Sequence, residues 1–299
     1  MGSGEGEFSE FEVTADDGAQ FVIRHSENPA TTRLYISHGN GFAVDGYRVF
    51  WEPLLAGFDI VLFDMRNHGR NPPTGADGHH YQQMAADLAC VHATVEDRLG
   101  PKSTVGVFHS MSARAAMKNA LDMGSPFDAL ILFDPPSVPP SGHPLYEAMR
   151  GFELKLVNWA SERPEAFSSP QDLQHIYAEA KGSANWMPQA HADMARAVLR
   201  ADGEGGYRLS CQRELEASIY LAALTLDLWP RADALGVPAK LIGADPEGAG
   251  PPTGRANQAL AGEGAYVYEA IQGAGHLLQI ERPEDCREAM LSFLREQDL

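Results

Sequence analysis

The chain carries few basic residues for its size. It has 23 lysines and arginines against 41 aspartates and glutamates, which gives a formal net charge of -18 over 299 residues. So large an excess of negative charge repels the polyanionic backbone of nucleic acids and the anionic surface of most membranes. We therefore expect neither a nucleic acid nor a membrane surface as a partner.

Cysteine is also scarce. Cys90, Cys211 and Cys286 are far apart and form no CxxC pair, a pattern that favours reduced intracellular thiols over disulfides or a zinc site. The first ten residues are glycine-rich and acidic and lack the basic start and apolar core of a signal peptide, and no apolar run is long enough to span a membrane. These features predict a cytoplasmic protein.

Sequence signals for a cofactor or metal are missing as well. No glycine-rich dinucleotide fingerprint and no phosphate-binding loop occurs. His79 and His80 are adjacent, so their side chains diverge, and they have no fixed acidic partner. We interpret both as solvated loop residues and expect no cofactor and no metal.

Apolar runs instead alternate with segments of helical periodicity over much of the chain, and 44% of the residues are hydrophobic. The strands predicted from these runs are 11–14 and 20–24, which form a hairpin, and 33–37, 59–63, 104–108, 129–133, 239–243 and 266–270. The predicted helices are 47–56, 81–98, 112–123, 254–261 and 283–296. This order predicts an α/β fold with a mostly parallel central sheet flanked by helices on both faces.

The alternation stops at Asp134, where residues 135–230 show helical patterns and no apolar strand run. We predict a core domain made of residues 1–134 and 231–299, with a helical cap at 135–230. The cap contains five aromatic residues that could roof an apolar pocket or pack within the cap's own core, and for any one of them the core is favoured. They are Trp159, Phe167, Tyr177, Trp186 and Tyr220.

Ser110 stands where a predicted strand meets a predicted helix. A sharp strand-to-helix turn at a serine is how a hydrolase exposes a nucleophilic hydroxyl. The usual pentapeptide has glycine at both ends, whereas here Phe108 and Ser112 occupy those positions. A serine that only caps the following helix is the alternative interpretation.

His276 is the candidate general base, in a glycine-rich loop between the last predicted strand and the last helix. It would accept the Ser110 proton and later protonate the leaving group. Asp245, after strand 239–243, is the favoured acid, because it precedes His276 in the order expected of a triad. Asp134 is the alternative acid, although it could simply form a turn before two prolines, and Glu247 is a third candidate.

Two further loops follow predicted strands. In HGNGF, residues 38–42, the backbone amide of Asn40 is a candidate oxyanion-hole donor together with the amide of Met111. In DMRNHGR, residues 64–70, the charges of Asp64, Arg66 and Arg70 are expected to pair with one another and brace the loops beside the site.

Taken together and in this order, HGNGF, DMRNHGR, FHSMSA, LFDPP and GAGH resemble the α/β-hydrolase superfamily, specifically its capped, lipase- and esterase-like members. The resemblance extends over nearly the whole chain. It implies Ser110 as nucleophile, His276 as base, Asp245 as acid, and the amides of Asn40 and Met111 as the oxyanion hole. A serine nucleophile argues against the epoxide hydrolases and haloalkane dehalogenases of the superfamily, which attack with aspartate.

Three hypotheses follow. The first is a serine hydrolase that cleaves a small-molecule carboxylic ester or lactone with an apolar acyl part through an acyl-enzyme. In the second, the same triad serves carbon-carbon bond hydrolysis, perhydrolysis or acyl transfer, since fold does not decide among these. The third is a ligand-binding member of the fold with weak catalysis, because of the altered turn at Ser110. A monomer and a homodimer both stay open.

Overall fold

A computed structural model of the protein describes residues 8–299. The prediction that the chain has no signal peptide rests on its first ten residues. The first seven of these lie outside the described residues. None of the helices in residues 8–299 combines the length and the apolarity that crossing a lipid bilayer requires.

Strands and helices alternate along most of the described chain. The strands are β1 (Ser9–Thr14), β2 (Gln20–Ser26), β3 (Thr32–Ile36), β4 (Asp59–Phe63), β5 (Ser103–His109), β6 (Ala129–Phe133), β7 (Ala166–Phe167), β8 (Leu199–Ala201), β9 (Tyr207–Leu209), β10 (Ala239–Gly243) and β11 (Val267–Ala270). The helices are α1 (Arg48–Trp51), α2 (Tyr81–Leu99), α3 (Met111–Met123), α4 (Tyr146–Glu162), α5 (Pro170–Glu179), α6 (Pro188–Ala197), α7 (Arg213–Ala223), α8 (Thr253–Gly264), α9 (Leu278–Glu281) and α10 (Pro283–Glu296).

Eight of the strands form the central sheet, in the order β1-β2-β4-β3-β5-β6-β10-β11. The pairs β1-β2 and β2-β4 are antiparallel, whereas β4, β3, β5, β6, β10 and β11 run parallel. The predicted α/β fold with a mostly parallel sheet is therefore confirmed. The parallel strands β3, β4, β6 and β10 are buried along their whole length, as expected of a sheet covered on both faces.

Side chains alternate between the two faces of this sheet because successive strand residues point in opposite directions. Ile36 and Val107 belong to the hydrophobic cluster on one face, whereas Tyr35 and Phe108 belong to the cluster on the other. All parallel strands end at the same edge, so the residues that follow β3, β5 and β6 are brought together there.

The predicted helix 47–56 is largely wrong. Regular α-helix covers only α1, between two turns of tighter 3-10 helix at Val44–Tyr47 and Glu52–Ala56. Pro53 lies at the start of the second of these turns, and its lack of an N–H prevents a continuous helix through this point. The loop after β3 is therefore followed by a tightly wound segment that packs on the core.

Between β6 and β10 the chain leaves the sheet and forms α4 to α7 together with a small antiparallel sheet of order β7-β9-β8. The expectation of helices without strands is therefore wrong for this segment. Its strands have only two or three residues each, too short to produce an apolar run. The division into a core and a cap stays a prediction, and we call residues 135–238 the inserted segment.

A buried ion pair fastens the inserted segment to the core. Glu153 of α4 accepts a hydrogen bond from Arg114 of α3, and both side chains are almost completely excluded from solvent. Arg114 also donates to the backbone oxygen of Pro136 and, at 3.0 Å, to the hydroxyl of Tyr81. The first helix of the inserted segment is thus tied directly to the helix that follows Ser110.

We predict that Glu153→Ala lowers the free energy of unfolding by about 3–5 kcal/mol, because it leaves the Arg114 charge buried without a partner. Urea denaturation followed by circular dichroism measures this change. The matched double variant Arg114→Met with Glu153→Leu should cost much less, since it removes both charges. A single variant no less stable than the double variant would contradict the prediction.

Candidate active site

Ser110 occupies the turn between β5 and α3 with φ 53° and ψ -109°. A positive φ is uncommon for any residue other than glycine and is retained where the surroundings hold it in place. Here the Ser110 amide donates to the backbone oxygen of Phe133 at 2.9 Å, which anchors the turn to the neighbouring strand β6. The serine hydroxyl therefore projects from a strained, fixed backbone at the edge of the sheet.

Phe108 and Ser112, which occupy the two usual glycine positions of this turn, are accommodated by specific packing. The ring of Phe108 folds back over Gly106 of the same strand, where a Cβ would overlap the ring, and packs against Phe63 and Phe127. Ser112 is small, and its hydroxyl accepts from the amide of His109 and donates to the oxygen of His109, both at 3.0 Å. The turn thus has space for its nonstandard residues and gains two hydrogen bonds.

His276 lies against Ser110. Its Nε2 is 3.0 Å from the Ser110 Oγ, and its Nδ1 is 2.6 Å from Oδ2 of Asp134. Because a carboxylate can only accept, the Nδ1 carries the proton and the Nε2 is free to accept the serine proton. The geometry is that of a serine, histidine and carboxylate aligned for proton transfer.

Asp134 is completely buried and has φ 41°. Its Oδ1 accepts hydrogen bonds from the amide of Ala244 at 2.9 Å and from Nδ2 of Asn257 at 2.8 Å. Burial alone would raise the pKa of this carboxyl, but its hydrogen bond with His276 and the other donors hold the pKa below its usual value. Asp134 is therefore kept ionised next to the imidazole.

The sequence-based preference for Asp245 as the partner of His276 is corrected by this geometry. Asp245 accepts from the amide of Glu247 at 2.9 Å and from the amide of Gly273 at 2.8 Å. Its side chain is thus occupied in closing the loop after β10 and in bracing the loop that carries His276. β6 lies directly beside β5 in the sheet, one strand closer to Ser110 than β10, so the aspartate after β6 reaches the imidazole. The third candidate, Glu247, is exposed.

The loop of residues 38–42, here called the oxyanion loop, packs against the Ser110 turn. A Cβ at Gly39 would lie 2.9 Å from Nδ1 of His109 and 3.2 Å from Cβ of Ser110, so only glycine permits this approach. Among residues 8–299, no backbone oxygen accepts from the Asn40 amide. Met111 is the first residue of α3, where N–H groups have no partner within the helix. Both candidate oxyanion donors are thus backbone amides left without a partner.

Two buried histidines hold the oxyanion loop and the loop of residues 64–71 together in a reciprocal way. His38 accepts from the amide of Met65 at 3.0 Å, and His68 accepts from the amide of Gly41 at 3.1 Å. The other ring nitrogen of each histidine faces a nearby backbone oxygen at 2.8 Å. Each neutral ring therefore donates within its own loop and accepts from the other loop.

His109, next to Ser110, connects the oxyanion loop to the His276 loop. The amide of Gly39 donates to the Tyr47 hydroxyl at 3.2 Å, the hydroxyl contacts Nδ1 of His109 at 2.8 Å, and Nε2 of His109 contacts the backbone oxygen of His276 at 2.8 Å. Burial lowers the pKa of His109 to about 3, so the ring is neutral and donates through Nε2. The chain of contacts fixes three loops of the site relative to one another.

The charges of residues 64–70 do not pair with one another as expected. Arg66 pairs instead with Asp87 at 2.6 Å and with Asp17 at 2.8 Å, both outside the loop. Asp64 accepts from the backbone amide of Val44 at 2.8 Å. The bracing expected of this loop is present, but it runs to neighbouring elements.

The interpretation of His79 as a solvated residue is also wrong. His79 is buried and its Nδ1 lies 3.1 Å from Nδ2 of Asn67, whereas His80 is exposed and caps α2 by accepting from the amide of Gln83. In the part of the chain that the structure describes, no group of three histidine, cysteine or acidic side chains is arranged to hold a metal ion.

One of the five aromatic residues of the inserted segment, Trp186, contacts the oxyanion loop, and a second packs behind it. Trp186 packs against Phe42 with ring centroids 6.0 Å apart, and Tyr177 packs against Trp186 at 5.2 Å. Trp159, in contrast, is 49% exposed and stacks with Arg163. The aromatic wall beside the site is therefore small and consists of Phe42, Trp186 and Tyr177.

Sequence reasoning missed the roles of His38, His68 and His109. All three stand inside motifs that were singled out, and a histidine flanked by glycine or serine in such a motif is the signal that could have found them. What the sequence does not show is which group each ring forms its hydrogen bond with, because those partners come from other loops.

We predict that stability falls as the pH is lowered from about 6.5 to 4.5, because buried neutral histidines gain protons on unfolding. Burial lowers the pKa of His68 well below its usual value and that of His79 to about 4. A histidine with a lowered folded-state pKa contributes stability that is complete above its unfolded pKa and is lost as the pH falls below it. The slope is at most about 1.4 kcal/mol per pH unit for each histidine.

Urea denaturation across this pH range measures the slope, and the variant His79→Gln should show a shallower one than the wild type. Comparing the two proteins cancels the contribution of carboxyl groups. Equal slopes would contradict the prediction for His79.

Comparison with known proteins agrees with this architecture. The model of a family described as the alpha/beta hydrolase family matches residues 34–289. No curated protein matches the chain in sequence.

Solved structures show the same fold at low identity. The crystal structure of E-2-(acetamidomethylene)succinate hydrolase has a TM-score of 0.79 at 18% identity and covers 97% of this chain and 100% of its own. An alpha/beta hydrolase from Novosphingobium aromaticivorans has a TM-score of 0.72 at 16% identity, covering 98% and 99%. A thermophilic esterase from Thermogutta terrifontis, with malate bound, has 0.65 at 19%, covering 97% and 98%.

Proposed function

Since the chain belongs to the alpha/beta hydrolase family, we propose that it is a serine hydrolase that cleaves a carboxylic ester or lactone through an acyl-enzyme. The single observation that carries the proposal is the hydrogen-bonded line from Asp134 through His276 to Ser110. An ordinary serine hydroxyl is a weak nucleophile, and a neutral imidazole oriented by a buried carboxylate is the arrangement that activates it.

In the acylation step, Ser110 Oγ attacks the substrate carbonyl carbon while His276 Nε2 takes the hydroxyl proton. The imidazolium that forms is stabilised by Asp134, which stays ionised. The tetrahedral intermediate then collapses, the bond to the alcohol breaks, and His276 donates its proton to the departing oxygen. The acyl group is left on Ser110.

The negative oxygen of the intermediate would be bound by the backbone amides of Asn40 and Met111. Within the described residues 8–299 neither amide donates to another acceptor, so neither needs to break a hydrogen bond there to bind the oxyanion. Donors of this kind, fixed before the reaction, each contribute about 3 kcal/mol to transition-state stabilisation. In the second half of the cycle, water replaces the alcohol and His276 repeats its two proton transfers.

The inserted segment would act as the cap over this site. Its Trp186 packs against Phe42 of the oxyanion loop and Tyr177 packs behind Trp186, which places an aromatic wall next to this loop. Such a wall suits a substrate whose acyl part is small or medium in size and apolar.

We expect a fluorophosphonate probe to label the wild-type protein at Ser110, as identified by peptide mass spectrometry. Ser110→Ala should take no label and should lose turnover of short p-nitrophenyl esters by about a thousandfold or more, because the nucleophile is absent. Ser112→Ala, two residues away, is the matched control and should remain labelled at Ser110. Undiminished turnover in Ser110→Ala would end the proposal, and binding without turnover in the wild type would favour a ligand-binding role.

The acid of the triad can be tested with two equivalent substitutions. Asp134→Asn should lower kcat by about 10⁴-fold, because the amide favours the wrong imidazole tautomer. Asp245→Asn should change kcat much less, since the Asp245 carboxylate accepts from the backbone amides of Glu247 and Gly273 and not from His276. Steady-state kinetics on the same ester measures both. A larger loss for Asp245→Asn than for Asp134→Asn would overturn the assignment of the acid.

A further inference from the structure

The oxyanion loop is in direct contact with one residue of the inserted segment, Glu216 of α7. The backbone oxygen of Glu216 accepts a hydrogen bond from Nδ2 of Asn40 at 2.8 Å. The carboxylate of the same residue lies against Gly41, where a Cβ would overlap its oxygen atoms. One residue therefore touches two consecutive positions of the loop, through its backbone and through its side chain.

Gly41 is held from the opposite side by the core. Its amide donates to Nε2 of His68 at 3.1 Å, and its φ of 74° lies in the left-handed region. Gly41 thus stands between a histidine of the core and a carboxylate of the inserted segment. The amide of the preceding residue, Asn40, donates to no backbone oxygen within residues 8–299.

Glu216 is itself fixed by an ion pair. Nη1 of Arg163 donates to its Oε2 at 2.7 Å, and both side chains are buried. Burial raises the pKa of Glu216, and the charge of Arg163 together with hydrogen bonding from Tyr220 opposes this effect. A buried ion pair adds little net stability, because desolvation of the two charges offsets their attraction. What the pair does here is hold the carboxylate in one position against the loop.

The ion pair between Arg163 and Glu216 also affects the charge next to the oxyanion hole. An uncompensated carboxylate next to the oxyanion hole would repel the negative oxygen that develops in the transition state. Arg163 supplies the opposite charge within hydrogen-bond distance and cancels that repulsion. The inserted segment can therefore place a carboxylate next to the oxyanion loop without opposing the chemistry.

We propose that Glu216 is a positioning residue for the oxyanion hole: the inserted segment holds the Asn40–Gly41 turn through Glu216, which Arg163 holds in turn. This rests on the proposed hydrolase function, because it assigns the Asn40 amide to the oxyanion. The inserted segment then contributes to transition-state stabilisation as well as covering the substrate.

The main test is Glu216→Ala, measured by steady-state hydrolysis of a short p-nitrophenyl ester. We expect kcat to fall by about tenfold or more with KM changed less than about twofold, since a displaced oxyanion donor affects the transition state and not ground-state binding. An alkyl boronic acid, which forms a tetrahedral adduct with the serine, should lose affinity by a similar factor. Glu216→Gln, which keeps the volume against Gly41, should retain more activity than Glu216→Ala.

The matched control is Asp59→Asn. Asp59 is also a buried carboxylate paired with an arginine, Nε of Arg33 at 2.7 Å, but it lies at the start of β4, at the opposite edge of the sheet from the oxyanion loop. Its substitution measures the general effect of removing a buried carboxylate from an arginine ion pair, although Arg33 keeps a second partner in Glu96. We expect kcat to change less than about twofold in the folded Asp59→Asn protein.

Hydrogen-deuterium exchange tests the same contact without relying on activity. Amides of residues 38–42 should exchange faster in Glu216→Ala than in the wild type and should be unchanged in Asp59→Asn. A wild type that hydrolyses no ester would refute the proposed function, and the exchange rates would still decide whether Glu216 positions the loop. Unchanged exchange in Glu216→Ala, or unchanged kcat in an active enzyme despite faster exchange, would overturn the inference.

Discussion

Asp134 is a completely buried carboxylate, and a buried charge is tolerated only when every oxygen has a hydrogen-bond donor or an opposite charge beside it. Its donors come from three separate parts of the chain: Ala244 after β10, Asn257 in α8 and His276 after β11. The hydrogen bonds to this one carboxylate therefore hold the segments that follow β6, β10 and β11 together. The same hydrogen bonds place the His276 imidazole next to Ser110.

The loops around this centre are fixed in a similar way, by neutral histidines that form hydrogen bonds with other loops. His38 and His68 connect the oxyanion loop with residues 64–71, and His109 connects it through Tyr47 to the backbone of His276. Each ring forms a hydrogen bond with a loop group that is buried and so cannot bond to water. The oxyanion loop is therefore rigid for a reason that is separate from sheet formation, and the inserted segment adds Glu216 from the other side.

The alternation of apolar runs and helical periodicity was sufficient to predict the fold, because buried parallel strands such as β4 and β6 are continuous apolar stretches. The same patterns predicted neither the short strands β7 to β9 nor the break at Pro53, where local chain chemistry overrides periodicity. Ser110 and His276 could be singled out from their neighbours. The preference for Asp245 over Asp134 was wrong, because both follow a strand at the same sheet edge and only the spatial order β5-β6-β10 separates them.

The arrangement of the site depends on the hydrogen bond that Nδ1 of His276 donates to Asp134, and proton NMR of the protein in water observes the proton of this bond directly. A proton in a short hydrogen bond between an imidazole and a carboxylate gives a strongly downfield resonance. We predict that this resonance is present in the wild type and in Asp245→Asn and is lost in Asp134→Asn. A resonance that survives in Asp134→Asn and disappears in Asp245→Asn would contradict it.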